Sequence, residues 1–291
     1  MAGIVLAVLS SAGCTAPEAP LPPPPLTAEE QASFDSWYRY RKMTGEMQQM
    51  EDELIRRCMV AKGNRWMISS VPPNEGQVHK SLSVEEATKY GYSTVTISAA
   101  ARAEDKRLEE FEASLTKAER DKQVLDVMGG PTAPEESVIV GQDKISYPKV
   151  GCRYEVQQKL YGDVAAWNEL RFSIMVDAAE EIEESPEAKQ AAKPWSSCMA
   201  AVNRHYKDPF EARSAGFDAS TPGIKYEGPT PKEIEIAVAD ATCRAETGYD
   251  DAMQLIGRKA YAHAAMGFEG QILRLIELYT EAQKRGKELL G

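Results

Sequence analysis

The chain has 291 residues, of which 43% are hydrophobic and 27% charged, and this composition predicts a folded protein with two compact units. Its formal net charge of -11 argues against a general affinity for nucleic acid or for an anionic membrane face. No stretch of the sequence approaches the roughly 20 apolar residues of a transmembrane helix, so we expect any membrane attachment to come from an anchor.

The first 13 residues have the order of a signal peptide, with an apolar segment at 4–9, then small residues, then Cys14. The tetrapeptide Ser11-Ala12-Gly13-Cys14 resembles the lipobox of bacterial lipoproteins. It departs from the usual pattern at Ser11, where Leu is common, and no Lys or Arg precedes the apolar segment. We predict that residues 1–13 are removed and that a lipid on Cys14 anchors the protein to the membrane. The alternative is a buried N-terminal strand that ends in an ordinary cysteine.

Residues 14–26 are rich in proline. Consecutive prolines adopt a stiff, extended polyproline helix that a core cannot absorb. We predict that this tract is a lipid-anchored linker that holds the folded body away from the membrane. A disordered leader without a spacing role is the alternative.

Helical signals follow one another after the proline tract. Thr27 with two acidic residues behind it is typical of a helix start, and apolar residues at three- and four-residue spacing predict a helix over 27–61. Residues 69–95 contain two consecutive prolines, which indicate a mostly irregular segment. Further helices are predicted over 97–127, 151–184, 229–247 and 250–289, and one more from Pro186 through Cys198. Gly129 is a stop signal for the helix over 97–127.

These elements predict an all-α fold. We divide it into a first helical unit over residues 27–185 and a second over 186–291, which includes the long C-terminal helix. Glycines within that helix lower its propensity, so we expect it to pack on its own domain rather than stand free. A partner-binding role for the helix is the alternative.

The chain has five cysteines. If Cys14 carries lipid, four remain, an even number suited to two disulfides in an oxidising compartment. Those four are Cys58, Cys152, Cys198 and Cys243, and no two of them have the C-x-x-C or Cys/His spacing of a zinc site. We therefore expect no metal site, and four cysteines allow three pairings.

An internal duplication favours one of these pairings. Cys-Met at 58–59 and at 198–199 is followed in both places by an aromatic residue, Glu-Ala helical motifs at 86–92 and 211–217 line up, and each unit ends on Cys-Arg. If the units fold alike, the bridges are Cys58 to Cys152 and Cys198 to Cys243. The alternative is that short matches arose by chance among helices.

These motifs resemble a group of actinobacterial exported proteins and putative lipoproteins of unknown function. The resemblance covers most of the chain after the proline tract and is strongest from Trp195 onward, where Val-Ala-Asp-x-x-Cys-x-x-Glu-Thr-Gly stands at 238–248. It departs at Asn203, where glycine is usual. The resemblance implies secretion and an α-helical, disulfide-linked fold, but no activity.

No catalytic or phosphate-binding motif is found, and the three histidines lie far apart in sequence. The run of glutamates over 180–184 is typical of a solvated helix face, because adjacent helical carboxylates diverge instead of converging on a substrate. Trp66 and Trp195, which flank the two Cys-Met units, form a possible ligand platform. More commonly, such aromatics cover a disulfide and seal a small core.

The sequence therefore predicts a disulfide-linked helical body with an internal duplication, preceded by a signal peptide and a proline-rich stalk. We expect a non-enzymatic surface lipoprotein, without a cofactor, that binds an extracellular protein or an envelope component. The first alternative is an extracytoplasmic envelope enzyme, a hydrolase that acts through carboxylates from different helices. The second is a small-ligand carrier with an apolar cavity near Trp66 or Trp195.

Overall fold

The computed structural model describes residues 24–71, 80–92, 99–217 and 228–291, without the side chains of residues 99, 100 and 102. These residues form twelve helices and one two-stranded sheet, and 72% of them are helical, which confirms the all-α prediction. The predicted signal peptide, the predicted lipidation site Cys14 and the linker up to residue 23 lie outside the described residues.

The elements are given in chain order. The helices are α1 Ala28–Ala61, α2 Val84–Tyr90, α3 Ala99–Ala113, α4 Lys117–Met128, α5 Cys152–Tyr161, α6 Val164–Ser173, α7 Ala179–Glu184, α8 Pro186–Ala201, α9 Pro209–Phe217, α10 Pro231–Thr247, α11 Tyr249–Met266 and α12 Glu269–Leu290. Between α4 and α5, strands β1 Glu135–Val140 and β2 Asp143–Pro148 form an antiparallel hairpin. Its two-residue loop has Gly141 at φ 60°, which glycine adopts without strain.

Helix starts agree with their sequence signals, but three predicted helices are wrong in length. Thr27 caps α1 in a capping box with Glu30, as its position in the sequence predicts. The helix predicted over 97–127 is interrupted before Thr116, which caps α4 in a second capping box. The helix predicted over 151–184 is divided into α5, α6 and α7, and that over 250–289 into α11 and α12. The hairpin lies between the helices predicted over 97–127 and 151–184, where the sequence signals predict no element.

Two hydrophobic cores hold the helices together. The first is built mainly from α1, α5, α6 and α12, and the second mainly from α2, α8, α10 and the first half of α11. Both cores draw on both predicted units, because α12 packs against α1 and α2 packs against α10. A boundary between folding units at residue 185 stays a prediction.

Two disulfides link helices that are distant in sequence. Cys58–Cys152 joins the last turn of α1 to the first residue of α5, and Cys198–Cys243 joins α8 to α10. The Cα atoms are 5.8 and 5.6 Å apart, within the usual range for a bridge. The pairing is the one that the duplication predicts.

The duplicated Cys-Met motif has the same local structure in both copies. Five residues after each cysteine the backbone takes a positive φ, 78° at Gly63 and 59° at Asn203. The next N–H then donates to the carbonyl of Met59 at 3.0 Å or of Met199 at 2.9 Å. Asparagine tolerates this left-handed conformation better than most residues, which accounts for its presence at the position that Gly63 holds in the first copy.

The Cys-Arg-x-Glu motif also repeats in space. Glu155 Oε2 lies 3.7 Å from Cys58 Sγ, and Glu246 Oε2 lies 3.5 Å from Cys198 Sγ. The short repeated helices α2 and α9, in contrast, both pack against α10. The two copies therefore share their disulfide junctions, while their short helices contribute to one core.

The first core contains a buried carboxyl group. Glu51 of α1 is only 6% exposed, and its Oε1 atom has no hydrogen-bond partner among the described residues. Burial raises the pKa of Glu51 to about 7, because the Gln157 amide and the Arg171 charge offset the loss of hydration only in part. The ionised form of Glu51 is therefore destabilising in the folded protein.

We expect Glu51→Gln to stabilise the protein near pH 8. The rise of the Glu51 pKa from 4.5 to about 7 on folding corresponds to at most about 3 kcal/mol of the free energy of unfolding. The wild type loses this stability as the pH rises from about 4.5 through 7. The free energy of unfolding in urea should thus rise in the variant near pH 8 and match the wild type near pH 4. Glu46→Gln, at an exposed position of α1, is the control and should change little. A destabilised Glu51→Gln at both pH values would contradict this account.

Candidate functional site

The second core encloses a polar network around Trp195. Trp195 has no exposed surface, and its Nε1 donates to Oδ1 of Asp240 at 2.9 Å. Arg244 donates to the same carboxylate, from Nε to Oδ1 at 2.7 Å and from its second terminal nitrogen to Oδ2 at 3.2 Å. It also donates to Asp250 Oδ1 at 3.0 Å. The Asp and Arg of the late sequence motif therefore join α8 to α10 and to the first turn of α11.

The network is held by charge as well as by packing. Burial raises the pKa of Asp240, and the neighbouring Arg244 guanidinium opposes that shift. Asp240 has no exposed surface and Arg244 is only 7% exposed, so the interaction between the two ions has to replace the interactions with water that burial removes. Their i, i+4 spacing on α10 places them on one face of the helix.

The two tryptophans of the possible ligand platform lie in different places. Trp195 is enclosed in the second core, where its ring seals the helices around the network. Trp66 is half-buried and packs against the first core. The structure does not bring the two side chains together, and a ligand platform at either one stays a prediction.

A groove lies where α7 and the start of α8 face α11, and we call it the α7–α11 groove. Its volume is about 380 Å³, within the range of pockets that hold ligands. The lining residues are Pro24, Glu181, Glu184, Ser185, Pro186, Glu187, Leu255, Ile256, Lys259, Ala260 and His263. Its floor is apolar, and its rim carries several charges.

His263 closes one end of this groove between two carboxylates. Its Nε2 lies 2.8 Å from Glu30 Oε1 on α1, and its Nδ1 lies 3.1 Å from Glu181 Oε1 on α7. Glu181 and then Glu30 raise the pKa of His263. The Thr27 backbone N–H, followed by the His263 imidazole, lowers the pKa of Glu30 to about 2. A protonated His263 therefore ties α1, α7 and α11 together.

A second groove of about 400 Å³ lies beside the Cys58–Cys152 bridge, and we call it the disulfide groove. Its lining includes the basic side chains of Arg57, Lys62 and Lys159 and one acid, Glu155. Lys62 Nζ forms an ion pair with Glu155 at 3.0 Å, and Arg57 donates to the Leu290 carbonyl at 2.8 Å. This groove is basic in an otherwise acidic protein.

The placement of carboxylates bears on the hydrolase alternative. In the α7–α11 groove, Glu181, Glu184 and Glu187 all come from the α7 and α8 side, and α11 contributes Lys259 and His263. Glycosidase-type hydrolysis needs two carboxyl groups facing each other across the substrate. Within the described ranges, no cluster of three or more His, Cys, Asp or Glu side chains is arranged to hold a metal ion.

Sequence reasoning singled out the glutamates over 180–184 but did not find the groove. Glu181 and Glu184 line it, whereas Glu180 and Glu183 do not. Nothing near position 263 in the sequence predicts the contacts of His263. Its two partners are 233 and 82 residues away, so only the folded chain reveals the contact.

We expect Asp240→Asn to destabilise the protein by about 3 to 4 kcal/mol, because it leaves the buried Arg244 charge without its main partner. Urea unfolding at neutral pH measures this change. Asp121→Asn, which removes an acid from the exposed Lys117–Asp121 pair, should cost no more than about 1 kcal/mol. Equal effects of the two substitutions would show that the buried network contributes no special stability.

We expect the ion pairs of His263 to stabilise the folded protein fully below pH 6.5, the usual pKa of histidine in an unfolded chain. This stabilisation should be lost as the pH rises through the raised pKa of His263 in the folded protein. Urea unfolding of the wild type and of His263→Gln should therefore differ most near pH 6 and least near pH 9. His205→Gln, at an exposed position, controls for the loss of an imidazole. A difference that grew toward pH 9 would contradict the ion-pair arrangement.

No protein-family model, curated protein or solved structure matches the chain. Its function therefore has to be argued from the chemistry of its own sites. Both disulfides are consistent with an extracytoplasmic location, where thiols are oxidised. In the part of the chain that the structure describes, none of the helices has the length and apolar character needed to cross a membrane.

Proposed function

We propose that the chain is a lipoprotein of the cell envelope that acts outside the cytoplasm as a non-enzymatic binding module. The observation that carries this proposal is the use of four cysteines in two disulfides. Of the five cysteines, Cys14 is the one that forms neither of these bridges, and it stands where a lipobox has its lipid-bearing cysteine. One cysteine is thus reserved for lipid, and the others are used for bridges.

The start of α1 agrees with the same arrangement. This helix begins at Ala28, directly after Thr27, which follows the proline tract. In the proposed protein a stiff linker of residues 14–26 separates the lipid from the body. The resemblance to actinobacterial exported proteins and putative lipoproteins agrees with this location.

The grooves favour binding over catalysis. The α7–α11 groove combines an apolar floor with a charged rim, which is the usual composition of a recognition site. Its carboxylates come from one side only, so it lacks the facing acids that the hydrolase alternative requires. A binding module that presents this groove to an envelope component fits these features.

Intact mass analysis of the membrane fraction tests the anchor. We expect a chain that begins at Cys14, carries the mass of a diacylglycerol group, and gains four hydrogen atoms on reduction of its two bridges. Cys14→Ala should abolish the lipid and release the protein from the membrane, with both disulfides unchanged. A chain that retains Met1, carries no lipid and has five free thiols would overturn the proposal.

A further inference from the structure

We infer that the α7–α11 groove binds a cationic, amphipathic peptide segment. Lys or Arg side chains of the segment would contact the acidic rim, and its apolar side chains would contact the floor. This inference rests on the proposed role as a binding module, and it names the class of partner. Four features of the described residues carry it.

The first feature is the apolar floor. Leu255, Ile256 and Ala260 of α11 form it, and Pro24 and Pro186 extend it on two sides. Leu255, Ile256 and Ala260 stand at positions i, i+1 and i+5 of one helix, so they form a short apolar surface and not a deep cavity. A volume of about 380 Å³ accommodates a few side chains of an extended segment, not a folded domain.

The second feature is a row of carboxylates along one edge. Glu181, Glu184 and Glu187 are spaced three residues apart, across the end of α7 and the first turn of α8. Glu181 and Glu184 share α7, where neighbours at this spacing lie about 5 to 6 Å apart, and Glu187 follows after the extended Ser185. All three are exposed, and Glu187 makes no ion pair within the described part of the chain. A row of charges matches a segment with several cations better than it matches one small ion.

The third feature is the balance of charge. Glu184 pairs with Lys189, which lies outside the groove, and Lys259 is the one lysine in the lining. Three acids thus face one lysine and a titratable histidine. The net charge of -11 on the whole chain adds an attractive field for cationic partners and a repulsive one for anionic partners.

The fourth feature is the contrast with the disulfide groove. That groove has the opposite charge, and its lining residues on α1 begin 24 positions after Glu30, which corresponds to roughly 36 Å along the helix. A cationic segment should therefore avoid the disulfide groove. The molecule contains its own comparison site of similar volume and opposite charge.

His263 gives the α7–α11 groove a dependence on pH. The groups that face it are Glu30 on α1, Glu181 on α7, and Lys259 on its own helix. While His263 is protonated, it pairs with both Glu181 and Glu30, and its deprotonation removes one positive charge from beside the acidic row. Affinity for a cationic segment should therefore increase from about pH 6 to about pH 8.5, where lysine stays charged.

The test uses the full chain with both disulfides formed and a fluorescein-labelled hexapeptide of alternating Lys and Leu. Fluorescence anisotropy gives its affinity, and hexapeptides of alternating Glu and Leu and of alternating Lys and Ser are compared. We expect the Lys-Leu peptide to bind most tightly, because it alone fits both rim and floor. Tighter binding of the Glu-Leu peptide would overturn the inference, as would failure of the Lys-Leu peptide to bind.

Paired variants locate the site. Glu184→Gln with Glu187→Gln should weaken binding of the Lys-Leu peptide about tenfold. Glu180→Gln with Glu183→Gln changes the net charge equally on the same segment, outside the groove lining, and should change affinity less than about twofold. Equal losses in the two variants would mean general electrostatic attraction and would overturn the groove as the site.

Three further outcomes separate this inference from the proposed function. Sedimentation that shows a dimer in which a second copy of the chain fills the groove would overturn the inference. Binding of the Lys-Leu peptide that is lost in Lys159→Gln, and not in the groove variants, would assign it to the disulfide groove and overturn the inference. If the wild-type chain proves to carry no lipid in the mass analysis and still binds through Glu184 and Glu187, the lipoprotein proposal is overturned and the groove is supported.

Discussion

The two disulfides constrain how the remaining helices pack. Cys58–Cys152 closes 94 residues and Cys198–Cys243 closes 45, and loop-closure entropy makes each worth about 4 to 5 kcal/mol as an upper, model-dependent figure. The whole stability of a typical domain is only about 5 to 15 kcal/mol. Each bridge also holds one helix of a core beside another. This stabilisation offsets the cost of removing the Glu51 and Asp240 carboxyl groups from water.

How much the sequence predicts depends on whether a signal is local. Thr27 and the apolar spacing behind it define α1 within its own residues, and the repeated Cys-Met and Cys-Arg motifs are enough to indicate the disulfide pairing. The breaks near Thr116 and Gly267 are missed because helical spacing continues on both sides of each break. The hairpin is missed because its strands have six residues each and bury little more than Val138.

Buried polar residues show the limit of such reasoning most clearly. A glutamate in a charged helix resembles a surface residue, so nothing local marks Glu51 as part of the core. Asp240 did carry a signal, because it lies four residues after the core residue Ile236 and four before Arg244. A charged pair in line with an apolar stripe indicates a buried ion pair. The His263 contacts and the groove had no such signal, since they join segments far apart in the chain.

The position of the α7–α11 groove follows from the path of α11. Ile256 belongs to the second core, Ala262 belongs to the first, and Ala260 lies between them on the groove floor. Ser33 of α1 donates to the Ala262 carbonyl at 3.0 Å, so α1 holds this part of α11 in place. Clefts between packed units are where ligand sites most often form. A ligand in this groove would contact residues attached to both cores at once, and its binding energy would add directly to the stability of the junction between them.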